Sequence, residues 1–319
     1  MSFVHDDLEF GDLLRIVARE RRIAPGLIEK DYWVTHTLWA LHDMGFDVWF
    51  KGGTSLSKGF GLIERFSEDL DLKVLPGNVR SLPPVSNWTS VAARATADRR
   101  AYFTALAGLL RVPGMEVGVG EVADKSWRAA GIRVGYPGRH LGDLGSVMKP
   151  FVLLEIGSAR VAPAVRCDMT SFVHDYLAAT AQLKSFDDNR PTRVRCVHPL
   201  VTLVEKLDAL HRRFPREDAS PATFVRHFED AARVIQASAT LPPLPDYVGV
   251  RALADEMVAQ RQLASLPSSS DIAFAPTAGE RWDAIRAANA AIAPMFWGPR
   301  VTLDDACDAI RSWIAETFE

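Results

Sequence analysis

The spacing of hydrophobic residues predicts two helices in the first 44 residues of the chain. An N-terminal amphipathic helix is indicated by apolar residues near helical intervals: Leu8, Leu13, Leu14, Ile16 and Val17. Pro25 suits the first turn of a second helix, which extends to about Met44. Tyr32 and Trp33 lie in that helix at the spacing of core residues, so we expect them to be buried.

The remaining elements fall into two groups. Strands are predicted over residues 48–50 and 69–74, a helix over 88–110, and further strands over 115–119, 131–134, 151–156, 164–169 and 194–197. Later segments have helical spacing, over residues 201–213, 221–237, 248–262, 281–292 and 303–317. The predicted fold class is therefore α+β. A mixed sheet with flanking helices occupies residues 1–195, and an α-helical C-terminal domain occupies residues 196–319.

Composition and charge narrow the class of protein. Of the 319 residues, 48% are hydrophobic and 24% are charged, which is ordinary globular composition and excludes a disordered or fibrous chain. The formal charge of −3 excludes a globally basic protein that wraps nucleic acid, but it allows a local basic face. No apolar run approaches the roughly 20 residues of a membrane helix, and the acidic N-terminus lacks the layout of a secretory leader.

Three cysteines, Cys167, Cys196 and Cys307, show no metal-type spacing. Scattered cysteines fit a reducing cytosol and exclude a disulfide scaffold. We therefore expect a cytoplasmic protein. A monomer is the default, because the sequence has no coiled-coil pattern.

A pair of glycines follows the first predicted strand, in the sequence KGGTS at residues 51–55. Glycine has no Cβ, so the backbone at Gly52 and Gly53 can approach a ligand closely. A helix beginning at Ser55 or Leu56 would point its unbonded N–H groups at the same place. The stretch lacks the Gly-Lys-Ser/Thr ending of a P-loop, which disfavours a Walker-type NTPase. We interpret it as a phosphate cradle; the alternative is a plain turn.

Two aspartates, Asp69 and Asp71, alternate with leucines along the second predicted strand. The period of two places both carboxylates on one face, where their mutual repulsion calls for a cation. Oxygen ligands favour Mg²⁺ or Mn²⁺. Together with the phosphate cradle, this pair predicts a site for a metal-bound nucleoside triphosphate. Each motif alone is weak evidence. The alternative for the aspartates is a solvated strand face.

These motifs resemble the signature of the AbiEii/AbiGii toxin-type nucleotidyltransferases, which belong to the DNA polymerase β-like nucleotidyltransferase superfamily and include MenT-type toxins. The resemblance lies in KGGTSLSKGF at residues 51–60 and RFSEDLDL at residues 65–72. EKDYWV at residues 29–34 resembles the motif that precedes the cradle in that family. EKLDAL at residues 205–210 and RHFED at residues 226–230 resemble its later motifs.

The resemblance implies a polymerase-β-like nucleotidyltransferase core and the roles of its site residues. Asp69 and Asp71 would be catalytic and would hold the Mg²⁺ or Mn²⁺. Lys206 would neutralise the charge that develops as pyrophosphate leaves, and Asp230 would complete the catalytic set. The NTP triphosphate would be bound by backbone and hydroxyl groups of four cradle residues: Gly52, Gly53, Thr54 and Ser55.

Three further residues are candidates for the same site. Lys58 and Arg65 flank the cradle and are expected to contact phosphate, although a solvent-facing lysine and a structural salt bridge are equal alternatives. A third acidic ligand is usual on a neighbouring strand of this superfamily, and Glu155 is the best candidate for it. A carboxylate in so apolar a strand is costly unless it is paired or binds metal. Pairing with an arginine is the alternative for Glu155.

The implied function is that of a toxin in a phage-defence toxin–antitoxin system. It would transfer NMP from an NTP to the 3′ end of tRNA and so block translation; the tRNA acceptor and the antitoxin partner come from the resemblance alone. A local basic face for RNA is available in arginines on or beside two of the C-terminal helices: Arg212, Arg213, Arg216, Arg226 and Arg233. Two alternatives stay open, AMP transfer to a protein hydroxyl and a nucleotide-binding regulator without transfer activity.

Overall fold

The computed structural model describes residues 2–67, 69–122, 125–144, 148–157 and 160–319. The chain forms two compact units. The first comprises Met1–Gly59, Phe66–Val161 and Arg166–Cys196, and the second comprises Phe60–Arg65, Ala162–Val165 and Val197–Glu319. The domain boundary that the sequence places at residue 195 stays a prediction. None of the described helices is long and apolar enough to cross a membrane.

A mixed β-sheet lies in the first unit, apart from the ends of its last two strands. Within the described residues its strands are β1 (Asp47–Lys51), β2 (Asp69–Leu75), β3 (Glu116–Val122), β4 (Ala129–Gly135), β5 (Val152–Gly157), β6 (Ala164–Cys167) and β7 (Val194–Val197). Their order across the sheet is β3-β4-β5-β2-β1-β7-β6. The central strand β2 is antiparallel to β1 and parallel to β5, and β1 is parallel to β7. This architecture confirms the predicted α+β class with a mixed sheet.

The described helices of the first unit precede the strands or lie between them in the sequence. They are α1 (Phe10–Arg21), α2 (Pro25–Asp43), α3 (Gly52–Lys58), α4 (Ala93–Leu109) and α5 (Phe172–Ala179). Helix α2 is buried along most of its length, including Tyr32 and Trp33, as their spacing predicts. A helix that is buried nearly all round needs apolar residues on every side, which explains its lack of a polar face.

Charged residues in α2 are buried as well, and they fasten loops to the helix. The Glu29 carboxylate accepts hydrogen bonds from the main-chain N–H groups of residues 139–140 at 2.9–3.0 Å. Lys30 Nζ donates to the carbonyl oxygens of Lys149 and Phe151 at 2.8 and 3.1 Å. Each buried charge is therefore compensated by hydrogen bonds.

A buried hydrogen-bond network joins α2 to α5 and to the segment before β7. Asn189 Nδ2 donates to the Tyr32 hydroxyl at 3.0 Å and to His36 Nδ1 at 2.7 Å, and Asn189 Oδ1 lies 2.7 Å from His174 Nε2. His5 Nδ1 lies 2.8 Å from the same tyrosine hydroxyl. Burial lowers the pKa of all three histidines, to about 4 for His36. The network is thus built from neutral rings.

The predicted N-terminal amphipathic helix is confirmed as α1. It buries Phe10, Leu14 and Val17, whereas Ile16 is 48% exposed and Leu8, outside the helix, is 94% exposed. Helix α4 begins at Ala93 rather than at residue 88, because the side chain of Asn87 accepts main-chain hydrogen bonds from residues 89 and 90 and forms a turn. Helix α5 had no counterpart in the sequence pattern.

The second unit is built from helices. They are α6 (Pro199–Arg213), α7 (Arg226–Gln236), α8 (Val250–Ala259), α9 (Glu280–Ala291) and α10 (Leu303–Phe318). Each corresponds to a helix predicted from the sequence. The prediction over residues 221–237 is interrupted, however: Pro221–Thr223 is a 3-10 turn, and Phe224 leaves the helical conformation with φ −136° before α7 begins. The short segment Phe60–Arg65 belongs to this unit and forms an isolated bridge between Arg65 and Phe296.

Candidate active site

The glycine pair lies at the junction of β1 and α3. Strand β1 ends at Lys51 and α3 begins at Gly52, so both glycines form the first turn of the helix. The sequence placed the helix start three or four residues later, at Ser55 or Leu56, and that prediction is wrong. Gly52 has a φ of +75°, which L side chains rarely adopt, and this conformation turns the strand directly into the helix.

Gly52 packs directly against the carboxylate of Asp71. A Cβ at Gly52 would lie 1.8 Å from Asp71 Oδ2 and 2.8 Å from Asp71 Cγ. The contact follows from the sheet register, in which Lys51 of β1 pairs with Asp71 of β2. Only glycine leaves room for this carboxylate beside the strand–helix turn. The structure thus brings together two residues, Gly52 and Asp71, that are 19 positions apart in the sequence.

Both aspartates lie on one face of β2, as the alternation predicts. Leu70, Leu72 and Val74 are buried on the other face, while Asp69 and Asp71 are half-buried. Asp69 Oδ1 is buried and has no hydrogen-bond partner among the described residues. The ammonium of Lys149 lies 3.7 Å from that oxygen. A buried carboxylate oxygen without a hydrogen-bond donor is costly, so this position favours a cation.

Of the hydroxyl groups on α3, that of Thr54 is hydrogen-bonded and that of Ser55 is buried. Thr54 Oγ1 donates a hydrogen bond to the main-chain carbonyl of Asp69 at 2.9 Å, which fixes α3 to the start of β2. Ser55 Oγ is buried without a hydrogen-bond partner in the described chain. Triphosphate binding by Thr54, Ser55 and the two glycines stays a prediction.

Lys58, at the end of α3, forms an ion pair with α2. Its Nζ lies 2.6 Å from Asp31 Oδ1 and donates to Thr35 Oγ1 at 2.8 Å and to the carbonyl of Thr170 at 3.0 Å. Asp31 also accepts the main-chain N–H of Phe172, the first residue of α5. Lys58 therefore holds α2, α3 and α5 together, and its predicted contact with phosphate stays a prediction.

Glu155 lies on β5 beside Asp71, with which it is in register. Its side chain is exposed, whereas its neighbours Leu154 and Ile156 are buried. The expectation that this carboxylate is costly in an apolar strand is therefore wrong, because the apolar residues line the opposite face. The metal-binding role of Glu155 stays a prediction.

The described residues hold no group of three or more histidine, cysteine, aspartate or glutamate side chains arranged to bind a metal ion. Asp69 and Asp71 nevertheless fit a divalent cation. They offer two carboxylates on one strand face, and Oδ1 of Asp69 has no hydrogen-bond donor among the described residues. Such an oxygen-only donor set suits Mg²⁺ or Mn²⁺.

In the second unit, Asp230 forms a buried cluster with two cations. Arg65 Nε and Nη2 donate to its two carboxylate oxygens at 2.7 Å each, and Lys206 Nζ donates to Asp230 Oδ2 at 2.7 Å. Burial alone would raise the pKa of Asp230, but the charges and hydrogen bonds of Arg65 and Lys206 hold it well below its ordinary value. The structure therefore brings together three residues that the sequence assigns to one function.

His227 completes this cluster. Its Nδ1 lies 3.3 Å from Lys206 Nζ. Burial and then the charge of Lys206 hold the pKa of His227 well below 6.5, so the ring is neutral. Burial also lowers the pKa of Lys206, and the charge of Asp230 opposes that shift. The phosphate contact predicted for Arg65 and the catalytic roles predicted for Lys206 and Asp230 stay predictions.

Comparison with known proteins gives one family. The model of that family, described as nucleotidyl transferase AbiEii toxin, type IV TA system, matches residues 41–304 of the chain. No curated protein matches the chain. Among solved structures, a crystal structure of JHP933 from Helicobacter pylori is similar over 89% of this chain and 92% of that chain, with 10% sequence identity and a TM-score of 0.30.

Proposed function

The chain belongs to the AbiEii family of nucleotidyl transferase toxins from type IV toxin–antitoxin systems, and on that premise we propose that it transfers NMP from an NTP to the 3′ end of tRNA. The transfer depends on Mg²⁺ or Mn²⁺ and blocks translation. The chain thereby acts in phage defence, and its cognate antitoxin counteracts it. The first unit then provides the polymerase-β-like nucleotidyltransferase core, and the reaction takes place in the cytoplasm.

One observation carries the metal-dependent transfer: Gly52 packs against the carboxylate of Asp71, and on the same strand face Oδ1 of Asp69 is buried with no hydrogen-bond donor in the described part of the chain. A plain turn requires no such contact with an acidic strand. A solvated strand face would give each carboxylate oxygen access to water. The arrangement instead supports a site in which a cation and a phosphate group meet the strand–helix turn.

In the proposed reaction, a hydroxyl oxygen of the acceptor forms a bond to the α-phosphorus of the NTP. The bond from the α-phosphorus to the oxygen that bridges it to the β-phosphorus breaks, pyrophosphate leaves, and the hydroxyl proton passes to solvent. Asp69 and Asp71 would hold the metal ion, which when bound would neutralise phosphate charge and lower the pKa of the attacking hydroxyl. Gly52 lets the Asp71 carboxylate pack against the strand–helix turn, and Thr54 holds α3 against β2 through its bond to the Asp69 carbonyl.

Lys206 is proposed to stabilise the charge of the departing pyrophosphate. Asp230 orients the lysine, which is supported by the 2.7 Å contact between Lys206 Nζ and Asp230 Oδ2. Arg65 holds Asp230 through both carboxylate oxygens, so it is a positioning residue for the lysine.

Incubation of the purified chain with Mg²⁺, each α-³²P-labelled NTP, bulk tRNA and total cell protein tests the proposal. We expect label in the tRNA band, absent with the Asp69→Asn variant, and the labelled NTP identifies the preferred nucleotide. Label in a protein band would replace tRNA by a protein hydroxyl as the acceptor. NTP binding without any label would favour the regulator without transfer activity.

A further inference from the structure

A cavity of about 490 Å³ lies in the first unit, at the end of β1 opposite to Gly52. We call it the arginine cavity, because its lining includes Arg166, Arg193 and Arg195. Asp47, the first residue of β1, also lines it. Gly52 follows the other end of that strand, about five residues of roughly 3.3 Å each away. The arginine cavity is therefore separate from the aspartate pair.

The arginines of this cavity are not all neutralised. Arg195 pairs with Asp47 and lies over the ring of Trp49, 4.8 Å from its centroid. Among the described residues, Arg166 makes one hydrogen bond, to the main-chain carbonyl of Arg193 at 3.1 Å. The guanidinium of Arg193 has no hydrogen-bond or ion-pair partner within the described chain. The lining holds three arginines and one aspartate, and with the Asp168 carboxylate that accepts from the Arg193 main chain one positive charge remains, on guanidiniums that retain most of their five donors each.

Two glycine turns contribute to the wall of the arginine cavity. Gly45 and Gly77 line the cavity in turns with φ of +84° and +54°. The turns pack closely, because a Cβ at Gly77 would lie 2.4 Å from the carbonyl oxygen of Gly45, and Asn78 N donates to that same oxygen at 2.9 Å. A side chain at Gly77 would collide with this main chain, so main-chain packing fixes this part of the lining.

The main chain of Arg193 is fixed in the lining of this cavity. Its φ is +54°, in the left-handed region that non-glycine residues rarely adopt. The main-chain N–H of Arg193 donates to Asp168 Oδ1 at 2.8 Å, and its carbonyl accepts from Arg166. These two contacts fix the main chain of Arg193 and hold the Arg166 guanidinium beside it.

The lining favours phosphate groups over whole nucleotides. Its phenyl ring, Phe46, is buried at 3% exposure, and the exposed imidazole of His42 is the remaining ring of the lining, whereas three residues of the lining are arginines. Guanidiniums bind phosphate oxygens in a bidentate manner, and contacts to phosphate that leave the bases untouched are typical of proteins that position a nucleic-acid backbone.

We propose that the arginine cavity binds backbone phosphates of the RNA acceptor, with Arg166 and Arg193 as the contacting residues. This inference rests on the proposed function, since it supplies that reaction with a second contact to its substrate. The aspartate pair and the arginine cavity lie at opposite ends of β1 in one unit, so an RNA strand engaged at both would span about the length of that strand.

The double variant Arg166→Gln/Arg193→Gln tests the inference through binding of fluorescein-labelled bulk tRNA, measured by anisotropy from 50 to 300 mM NaCl without NTP. Losing two phosphate contacts should lower the steepness of log Kd against log[NaCl] by about 1.4 to 1.8, and weaken binding roughly 10- to 30-fold at 0.15 M salt. Arg166→Lys/Arg193→Lys retains the charge and should recover most of the affinity. The control Arg19→Gln/Arg94→Gln removes two exposed arginines outside the cavity and should leave binding within about twofold.

Four outcomes would overturn the inference. Circular dichroism establishes that each variant is folded. Wild-type affinity and salt dependence in the Arg166/Arg193 variant would overturn the inference, as would a wild-type chain that binds no tRNA. A loss of ATP or pyrophosphate binding in place of tRNA binding would assign the cavity to nucleotide phosphates and overturn the RNA assignment. An equal loss in the Arg19/Arg94 control would show nonspecific charge attraction and would also overturn it.

The label-transfer assay separates failure of this inference from failure of the proposed function. At saturating NTP the variant should raise KM for tRNA and leave kcat near the wild-type value. If the variant transfers label with an unchanged KM for tRNA, the cavity does not bind the acceptor and the proposed function stands. If the wild type transfers no label but the variant still binds tRNA more weakly than the wild type, the cavity binds RNA and the proposed transfer is wrong.

Discussion

The ammonium of Lys149 lies 3.7 Å from Oδ1 of Asp69, an oxygen without a hydrogen-bond partner among the described residues. The lysine side chain is 42% exposed, whereas the aspartate side chain is 19% exposed. Lys149 thus supplies a positive charge from solvent to the carboxylate that is proposed to hold metal. A divalent ion at the same carboxylate would meet the repulsion of this ammonium.

Removal of the Lys149 charge should strengthen metal binding by the apoprotein. In Lys149→Met the expected gain in Mn²⁺ affinity is on the order of tenfold, because a unit charge and a divalent ion a few ångströms apart repel by about 1–2 kcal/mol near water. Electron paramagnetic resonance of free Mn²⁺ measures the change. Lys149→Arg retains the charge and should bind like the wild type. Equal affinities in Lys149→Met and the wild type would contradict the competition.

Gly52→Ala should disrupt the site more than the left-handed conformation alone explains. The new Cβ would overlap Asp71 Oδ2, which lies 1.8 Å from its position, so the carboxylate must move. We expect loss of Mn²⁺ binding and of transfer, with a loss of roughly 2 kcal/mol or more in the free energy of unfolding.

Gly61→Ala is the matched control for that substitution. Gly61 has a similar φ of +63°, but nothing lies within 4 Å of the Cβ it would gain. It should cost only about 1 kcal/mol. Urea denaturation and Mn²⁺ binding compare the two variants, and equal effects on both measurements would refute the role assigned to the Gly52–Asp71 contact.

Two substitutions in the buried cluster around Asp230 distinguish a structural role from a catalytic one. Asp230→Asn leaves the charges of Arg65 and Lys206 without their counter-ion and should destabilise the second unit by about 3 kcal/mol or more. Lys206→Met leaves both hydrogen bonds between Arg65 and Asp230 intact and should cost less stability while abolishing transfer. Urea denaturation alongside the label-transfer assay compares them. Full transfer in a folded Lys206→Met variant would remove the lysine from the reaction.

Local periodicity predicted the parts of the site that depend on one or two adjacent strands. Alternation placed Asp69 and Asp71 on one face of β2, and the structure confirms it. The same reasoning failed for Glu155, because apolar neighbours at alternate positions look the same whether the residue between them is buried or exposed. Only the packing of β5 shows that this carboxylate faces outward.

Contacts between residues distant in sequence had no local signal. Arg65 and Asp230 are separated by 165 positions, and neither sequence context indicates that one binds the other through two hydrogen bonds. Lys149 follows no recognisable motif, and it reaches Asp69 because Lys30 of α2 holds the main-chain carbonyl of residue 149. Such pairings depend on tertiary structure, which periodicity does not determine.

The buried histidine network predicts that the chain loses stability in mild acid. Asn189 Nδ2 donates to His36 Nδ1, so the proton of the neutral ring is on Nε2, where it is donated to the carbonyl of Pro113 at 2.9 Å. A second proton on Nδ1 would oppose the Asn189 amide. Burial is the largest cause of the lowered pKa of His36, about 4 against an ordinary 6.5, and the nearby ring of His5 lowers it further.

Because the pKa of His36 is lower in the folded chain, the unfolded chain takes up protons first as the pH falls. Its contribution is therefore fully present above pH 6.5 and is lost progressively between pH 6.5 and about 4, with a total on the order of 3 kcal/mol. The lowered pKa values of His5 and His174 act in the same direction. Urea denaturation at pH 7.5, 6.5, 5.5 and 4.5 measures the loss. His36→Gln cannot be protonated and should flatten this pH dependence, whereas an unchanged slope in that variant would assign the acid sensitivity to other groups.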